Sequence, residues 1–251
     1  MCTLIIGRDV LGPHTVVLAA NRDEDPARPS DPPMVLNEDP WVVGGRDRVA
    51  GGTWLAVREN QSAVALLNRY EPDFVPQEGQ ISRGQLALEV AALSSSDLPQ
   101  RMYALSRVGP SYAPFTLVFA SRESCWEIHN GYPRRGSRDV AAGWSVLTHR
   151  DLNDPTEPRT AHLLERLRGF EPNSLSEAEE RLGALLRSHG EDGSPPVCIH
   201  EGRMVTVSSS IVAFETGKST YLHADGRPCE HAYQDMSALL TRPAAQKGSH
   251  A

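Results

Sequence analysis

Short runs of β-branched and apolar residues, punctuated by turn residues and concentrated towards both ends of the chain, constrain this sequence most. Residues 3–6 and 15–20 are two such runs, separated by a turn region from Gly7 to Gly12-Pro13, and read as a hairpin. Residues 54–57 and 62–67 repeat the pattern around Glu59-Asn60-Gln61, and 115–121 with 125–130 make a third pair. Further runs fall at 144–148, 197–200, 204–207, 211–215 and 220–224. Helical spacing is confined to the middle. Ser82 stands where it would cap a helix through Leu93, with Leu86, Val90 and Leu93 on one face. Residues 158–167 place Leu163, Leu164 and Leu167 on a second helix, and Ser176-Glu177-Ala178-Glu179 fits a capping box opening a third, to Arg187. Strands at both ends with helices between them predict an α+β layered sandwich. Proline-rich residues 26–33 read as an irregular loop, residues 1–243 as a single domain, and 244–251 as a flexible tail.

Composition narrows the function classes. Lys plus Arg is 25 and Asp plus Glu 32, a formal charge of −7, which argues against a partner made of phosphates and so against nucleic acid. No apolar run approaches the roughly 18 residues of a membrane span. Arg8 and Asp9 interrupt the first apolar stretch, so it lacks the core of a secretory signal. Cys2, Cys125, Cys198 and Cys229 show no C-x-x-C spacing and are too sparse for a disulfide framework. The expected location is the cytoplasm.

Cys2 is the most informative single residue. The side chain is small enough for an initiator methionine before it to be removed, leaving a thiol and a free α-amine on one residue. With reference pKa values of about 8.5 and about 7.7–8.0, the amine can act as base for its own nucleophile. Position alone favours an incidental sulfur that simply packs. A second cluster, Asn21-Arg22-Asp23-Glu24-Asp25, follows the second run, and a hairpin returns it to the start of the first. Arg22 would there hold a thiolate or a substrate carboxylate, whereas taken alone the cluster reads as a solvated turn.

Joined, these features resemble a known family. Met1-Cys2-Thr3-Leu4-Ile5, Ala19-Ala20-Asn21-Arg22-Asp23-Glu24, Gly44-Gly45-Arg46-Asp47 and Ala50-Gly51-Gly52-Thr53-Trp54-Leu55 look like the NRDE, or transport-and-Golgi-organisation, family. Ser82-Arg83-Gly84 and Tyr112-Ala113-Pro114-Phe115 match further landmarks in the same order, and the likeness is dense to about residue 120. That family is similar to N-terminal-nucleophile hydrolases of the choloylglycine hydrolase and penicillin V acylase type. The resemblance implies a four-layer αββα sandwich and an N-terminal cysteine acting on a carboxamide C–N bond, with Arg22 and Asp23 flanking the nucleophile. Asn68 stands where those hydrolases place an oxyanion-hole asparagine, and a carboxamide N–H at a strand end suits that task; the bland reading is a turn residue before Arg69.

The C-terminal half departs from the pattern. Leu147-Thr148-His149 puts His149 in place of a second polar amide, so it is a candidate donor or acid. Thr206-Val207-Ser208-Ser209-Ser210 lacks the relatives' late arginine, which predicts a pocket poorer in positive charge, and the serines read as a bulge or turn. Asn21, Thr53, Trp54 and His200 complete the candidate substrate-binding set. The remaining histidines show no metal-ligand spacing, so no metal site is expected. Two functions compete, beside the bland option of a degenerate hydrolase with only a structural role. One is a cysteine amidohydrolase or acyltransferase on a small non-peptide amide or ester, needing no cofactor. The other, implied by the family's connection with haem mobilisation and acyl-CoA or lipid handling, is a non-catalytic carrier or chaperone for haem or an acyl lipid.

Overall fold

The turn-punctuated runs pair into two antiparallel sheets. The computed structural model describes residues 2–59, 61–94, 96–105, 111–131, 136–190 and 193–243; the expected tail at 244–251 and Asn60 of the second turn lie outside these. Strands β1 (Thr3–Arg8) and β2 (Val16–Glu24) form the first hairpin, in a register running from Thr3 opposite Asn21 to Arg8 opposite Val16. β10 (Gly143–Leu147) flanks β1, and β11 (Val205–Glu215), β12 (Lys218–Ala224) and β13 (Gln234–Asp235) continue beyond β2, giving the order β10-β1-β2-β11-β12-β13. The second sheet is a meander of β3 (Ser30–Glu38), β4 (Trp41–Asp47), β5 (Leu55–Arg58), β6 (Ser62–Asn68), β7 (Phe115–Ser121), β8 (Cys125–His129) and β9 (Gly136–Asp139).

Three apolar layers hold these sheets in a sandwich. Leu4, Ile6, Leu18, Val43, Val57, Val118 and Phe214 fill the space between the sheets. On the far side of the first sheet, Ile5, Val17, Ala19 and Ile211 meet Leu163 and Leu167 of α3 (Pro158–Leu167) and Leu182 and Leu186 of α4 (Leu175–Leu186). Outside the second, Val42, Ala56 and Val64 meet Leu86 and Val90 of α1 (Arg83–Ala92) and Met102 of α2 (Leu98–Leu105). Alternate residues of one strand therefore serve two cores, which is why Leu4, Ile5 and Ile6 of β1 are apolar without alternation. The order helix, sheet, sheet, helix is the αββα arrangement.

Local expectations are corrected at several points. β2 runs past Ala20, so Asn21 to Glu24 are strand residues rather than a solvated turn. Residues 30–38 are a strand despite Pro32-Pro33, because β3 is an edge strand and its register slips between Asp31 and Met34, where proline needs no ladder bond. The runs 204–207 and 211–215 are one strand, and the bulge falls between Thr206 and Ser208 while Ser208, Ser209 and Ser210 pair in the ladder. Residues 197–200 are not a strand. The cap of α4 is Ser174, whose side chain accepts from the Glu177 amide, not Ser176. For α1, Ser82 stands at the N-cap but its side chain makes no capping bond. The main-chain amides of Arg159 and Thr160 are capped by the Glu157 carboxylate instead of a hydroxyl.

Candidate active site

Cys2, at the mouth of β1, lines a cavity of about 440 Å³ to which strand ends from both sheets contribute. Strand alternation decides which neighbours it has. Arg22 turns to the inter-sheet side with Cys2, while Asn21 and Asp23 turn to the helical side. The Arg22 guanidinium is 5 % exposed, lies 4.2 Å over the Trp54 ring, bonds Ser30 Oγ at 3.3 Å and approaches Glu24 at 3.9 Å. Trp54 is held flat by Gly45 on the other strand: a Cβ at Gly45 would enter the indole ring. Gly52 is required by a close backbone approach. A Cβ there would enter the Gly84 backbone, so Gly52 lets the loop before β5 touch the start of α1, and the Thr53 amide bonds Gly84 O at 3.1 Å.

Asp23 sits on the face away from the cavity but keeps contact with Cys2, whose Sγ lies 4.0 Å from the Asp23 carbonyl oxygen. Its carboxylate accepts from Thr206 Oγ1 at 2.7 Å and from Arg159 Nη1 at 3.2 Å, and Arg159 also donates to Thr3 Oγ1. Burial raises the Asp23 carboxyl to about 6, against the opposing pull of Arg159 and Thr206. Burial is also the main influence on the Cys2 thiol, and Asp23 adds to it, so the thiol is pushed up although Arg22 draws it down. A thiol in that environment needs a base to become a nucleophile.

Asn68 closes β6 and lines the cavity, and its carboxamide makes no hydrogen bond to a described residue. Thr53 also lines it but is itself buried, with Oγ1 donating to Leu55 O at 3.0 Å. The other expected groups are displaced. Asn21 donates to Leu186 O and Val197 O at 2.9 and 3.0 Å, tying α4 and the loop before β11 to β2, so its side chain is structural in placement. His149 follows β10 beside the start of β1, yet its ring packs edge-on against Tyr70 and does not line the cavity. His200 lies with Cys198 and Cys229 instead.

Three arginines were missed as site residues. Arg83, the first residue of α1, lines the cavity, donates to Pro114 O at 2.8 Å and has no carboxylate within ion-pair distance among the described residues. Arg28 lines it too, but is paired with Asp47 at 2.7 Å. Arg159 holds Asp23. Arg83 adds a guanidinium, beyond the expected Arg22, to a cavity that Glu24 and Asp47 also line. The Ser82-Arg83-Gly84 motif was visible in the sequence, but only the contact of α1 with the Gly52 loop brings it to Cys2.

The sequence matches the Transport and Golgi organisation 2 family over residues 1–194. No curated protein matches it. Among solved structures the fold is similar to penicillin V acylase from Agrobacterium tumefaciens (TM-score 0.54, 10% identity, 97% of this chain and 89% of that one). It is similar also to a variant of the conjugated bile acid hydrolase from Clostridium perfringens (TM-score 0.52, 14% identity, 96% and 95% covered). A third likeness is to the Caenorhabditis elegans ortholog of N-acylethanolamine-hydrolyzing acid amidase (TM-score 0.51, 13% identity, 84% and 92% covered). At such identities these show a shared fold.

Proposed function

Taking as premise that the chain belongs to the Transport and Golgi organisation 2 family, we propose that it is an N-terminal cysteine hydrolase that cleaves a small, non-peptide amide through Cys2 once Met1 has been removed. One observation carries the reading: Cys2 opens onto a cavity that also presents Arg22 and an uncommitted carboxamide at Asn68. The three similar folds bear names of amide-cleaving enzymes, which supports the reaction class by analogy of fold.

In the proposed mechanism the freed α-amine of Cys2 takes the thiol proton, and Sγ attacks the carbonyl carbon. The oxygen of the tetrahedral intermediate accepts from the Asn68 carboxamide. The ammonium returns its proton to the leaving nitrogen as the C–N bond breaks, leaving a thioester and an amine product. Water, deprotonated by the same amine, then attacks the thioester; its collapse returns the proton to Sγ and frees the acid. Another nucleophile in place of water would make the second half an acyl transfer. Asp23, held by Thr206 and Arg159, orients the amine from behind the strand. Trp54 and Leu66 offer apolar wall to an acyl chain, and Arg83, with no carboxylate at ion-pair distance among the described residues, offers its guanidinium to an anionic headgroup.

Mass spectrometry of the purified chain tests the core of this. Met1 should be absent, and an electrophilic amide analogue should label Cys2 in preference to Cys125, Cys198 and Cys229, with turnover lost in Cys2→Ala. Equal labelling of the four cysteines, or retained turnover in Cys2→Ala, would overturn it. Binding of haem or an acyl lipid without any Cys2-dependent turnover would favour a carrier. Among acyl amides that differ only in headgroup charge, the anionic one should be preferred, and Arg83→Gln should remove that preference about tenfold, the size of losing one charge-assisted hydrogen bond.

A further inference from the structure

Outside the Cys2 cavity, the loop between α4 and β11 and the turn after β12 bring two cysteines and two histidines together. One ligand-type atom from each of His189, Cys198, His200 and Cys229 lies within 4.8 Å of every other. Cys198 Sγ is 3.5 Å from Cys229 Sγ and 3.7 Å from His200 Nε2, and His200 Nε2 is 3.1 Å from Cys229 Sγ. The His189 ring packs edge-on against that of His200, with centroids 4.6 Å apart. We propose that these four residues form a structural zinc site.

The geometry suits zinc and the donors select it. Bond lengths of about 2.3 Å to sulfur and 2.0–2.1 Å to nitrogen give a tetrahedron with sulfurs about 3.8 Å apart and sulfur to nitrogen about 3.5 Å. The three separations among Cys198, His200 and Cys229 lie within a few tenths of an ångström of these, and the His189 nitrogen, within 4.8 Å of each, completes the set by a side-chain movement. Two thiolates with two imidazoles are a closed N₂S₂ set that favours zinc over magnesium or calcium, which take oxygen ligands. A carboxylate also stands near one of the imidazoles, just beyond hydrogen-bond distance. His200 turns Nε2 to the sulfurs and Nδ1 towards Glu230, whose Oε1 lies 3.7 Å away. A carboxylate behind a ligating imidazole fixes its tautomer and raises its basicity.

The backbone explains how ligands so far apart in sequence converge. The amides of Val197 and Cys198 both bond Ser188 O, at 3.0 and 2.8 Å, which closes the loop and brings Cys198 beside His189. Ile199 and Thr206 then exchange bonds, the Ile199 amide to Thr206 Oγ1 and the Thr206 amide to Ile199 O, both at 2.9 Å. That clasp presents His200, while a turn in which Arg227 O accepts from the amides of Glu230 and His231 presents Cys229. The metal would join the two segments covalently. The first carries Val197, a partner of Asn21, and Met204, which lines the Cys2 cavity. Zinc would thus stiffen one wall of the cavity without entering it. The site stands apart from the proposed hydrolysis, so either can fail alone.

The test uses the full chain, purified under reducing conditions and stripped of metal. Zinc titrated against a chromogenic chelator should bind at about one equivalent per chain, and cobalt(II) should give the intense d–d bands of a tetrahedral ion with a thiolate charge-transfer band. Cys229→Ser and His200→Asn should each weaken zinc by about 100-fold or more, beyond what loss of an outer-shell partner costs. Zinc should raise the thermal midpoint of the wild type, and not of those variants. His200 is exposed, so its variant keeps the test informative if Cys229→Ser fails to fold. Weak octahedral cobalt spectra, binding unchanged in His200→Asn, or a Cys198–Cys229 disulfide surviving the reductant would overturn the proposal.

Discussion

At Asp23 burial and charge pull against each other. The folded carboxyl titrates at about 6, against about 3.9 in an unfolded chain. Between those values the folded state holds a proton that the unfolded state has released, so stability falls as pH rises. The contribution is complete below about pH 4 and gone above about pH 6, a difference of roughly 2–3 kcal/mol. Subtracting the unfolding free energies of Asp23→Asn from those of wild type across this window should leave that downward slope. A flat difference would mean that Asp23 ionises normally. For catalysis the counterpart is Asn68. If it donates to the oxyanion, Asn68→Ala should lower kcat by about 10²–10³ while KM changes little. An unchanged kcat in steady-state assays would remove it from the mechanism. Cys2, Arg22 and Asp23 were legible because their motif is contiguous and one hairpin brings its two halves together. Arg83 and Arg159 were not, since each reaches the site from a helix whose docking no local pattern encodes.

Among the elements, the existence of α1, α3 and α4 was legible and their termini less so. α3 spans the expected residues 158–167, because apolar spacing and Pro158 at the first turn agree. α4 begins before its expected cap because Ser174, two residues upstream of Ser176, has the extended backbone a cap needs. Ser174→Ala should therefore cost about 1 kcal/mol and Ser176→Ala less than about 0.5 kcal/mol in denaturant unfolding. The reverse order would restore the expected cap. α2 was missed because its eight residues carry only Leu98, Met102 and Leu105 as buried side chains, too short a run to separate from a loop. β3 was missed because its prolines signal a break, and only its place at a sheet edge makes them tolerable.

At the scale of the molecule, the central layer between the sheets is shared by residues far apart in sequence. Phe214 is fully buried there. Phe214→Ala should cost about 3–5 kcal/mol by equilibrium unfolding, whereas Val75→Ala, at a side chain 74% exposed, should stay within about 0.5 kcal/mol. Equal effects would mean that the two sheets do not share a packed core.

The sequence by itself determined the apolar runs of β1, β2, β5 to β8 and β10 to β12, the first hairpin, the strand-and-helix order that makes a layered sandwich, and the motif that sets Cys2 beside Arg22 and Asp23. These are local properties: alternation, turn chemistry and residues a few positions apart. Only the tertiary structure decided that Asn21 faces α4 and not the cavity, that Arg83 reaches that cavity, and that His200 belongs with Cys198. The reason is that a strand buried on both faces is apolar on both, so its sequence does not say which side of the sheet a polar residue serves. Ligand-type residues at 189, 198, 200 and 229 carry no shared period either. Their convergence exists only once the loop entering β11 and the turn leaving β12 have folded against each other at the open end of that hairpin.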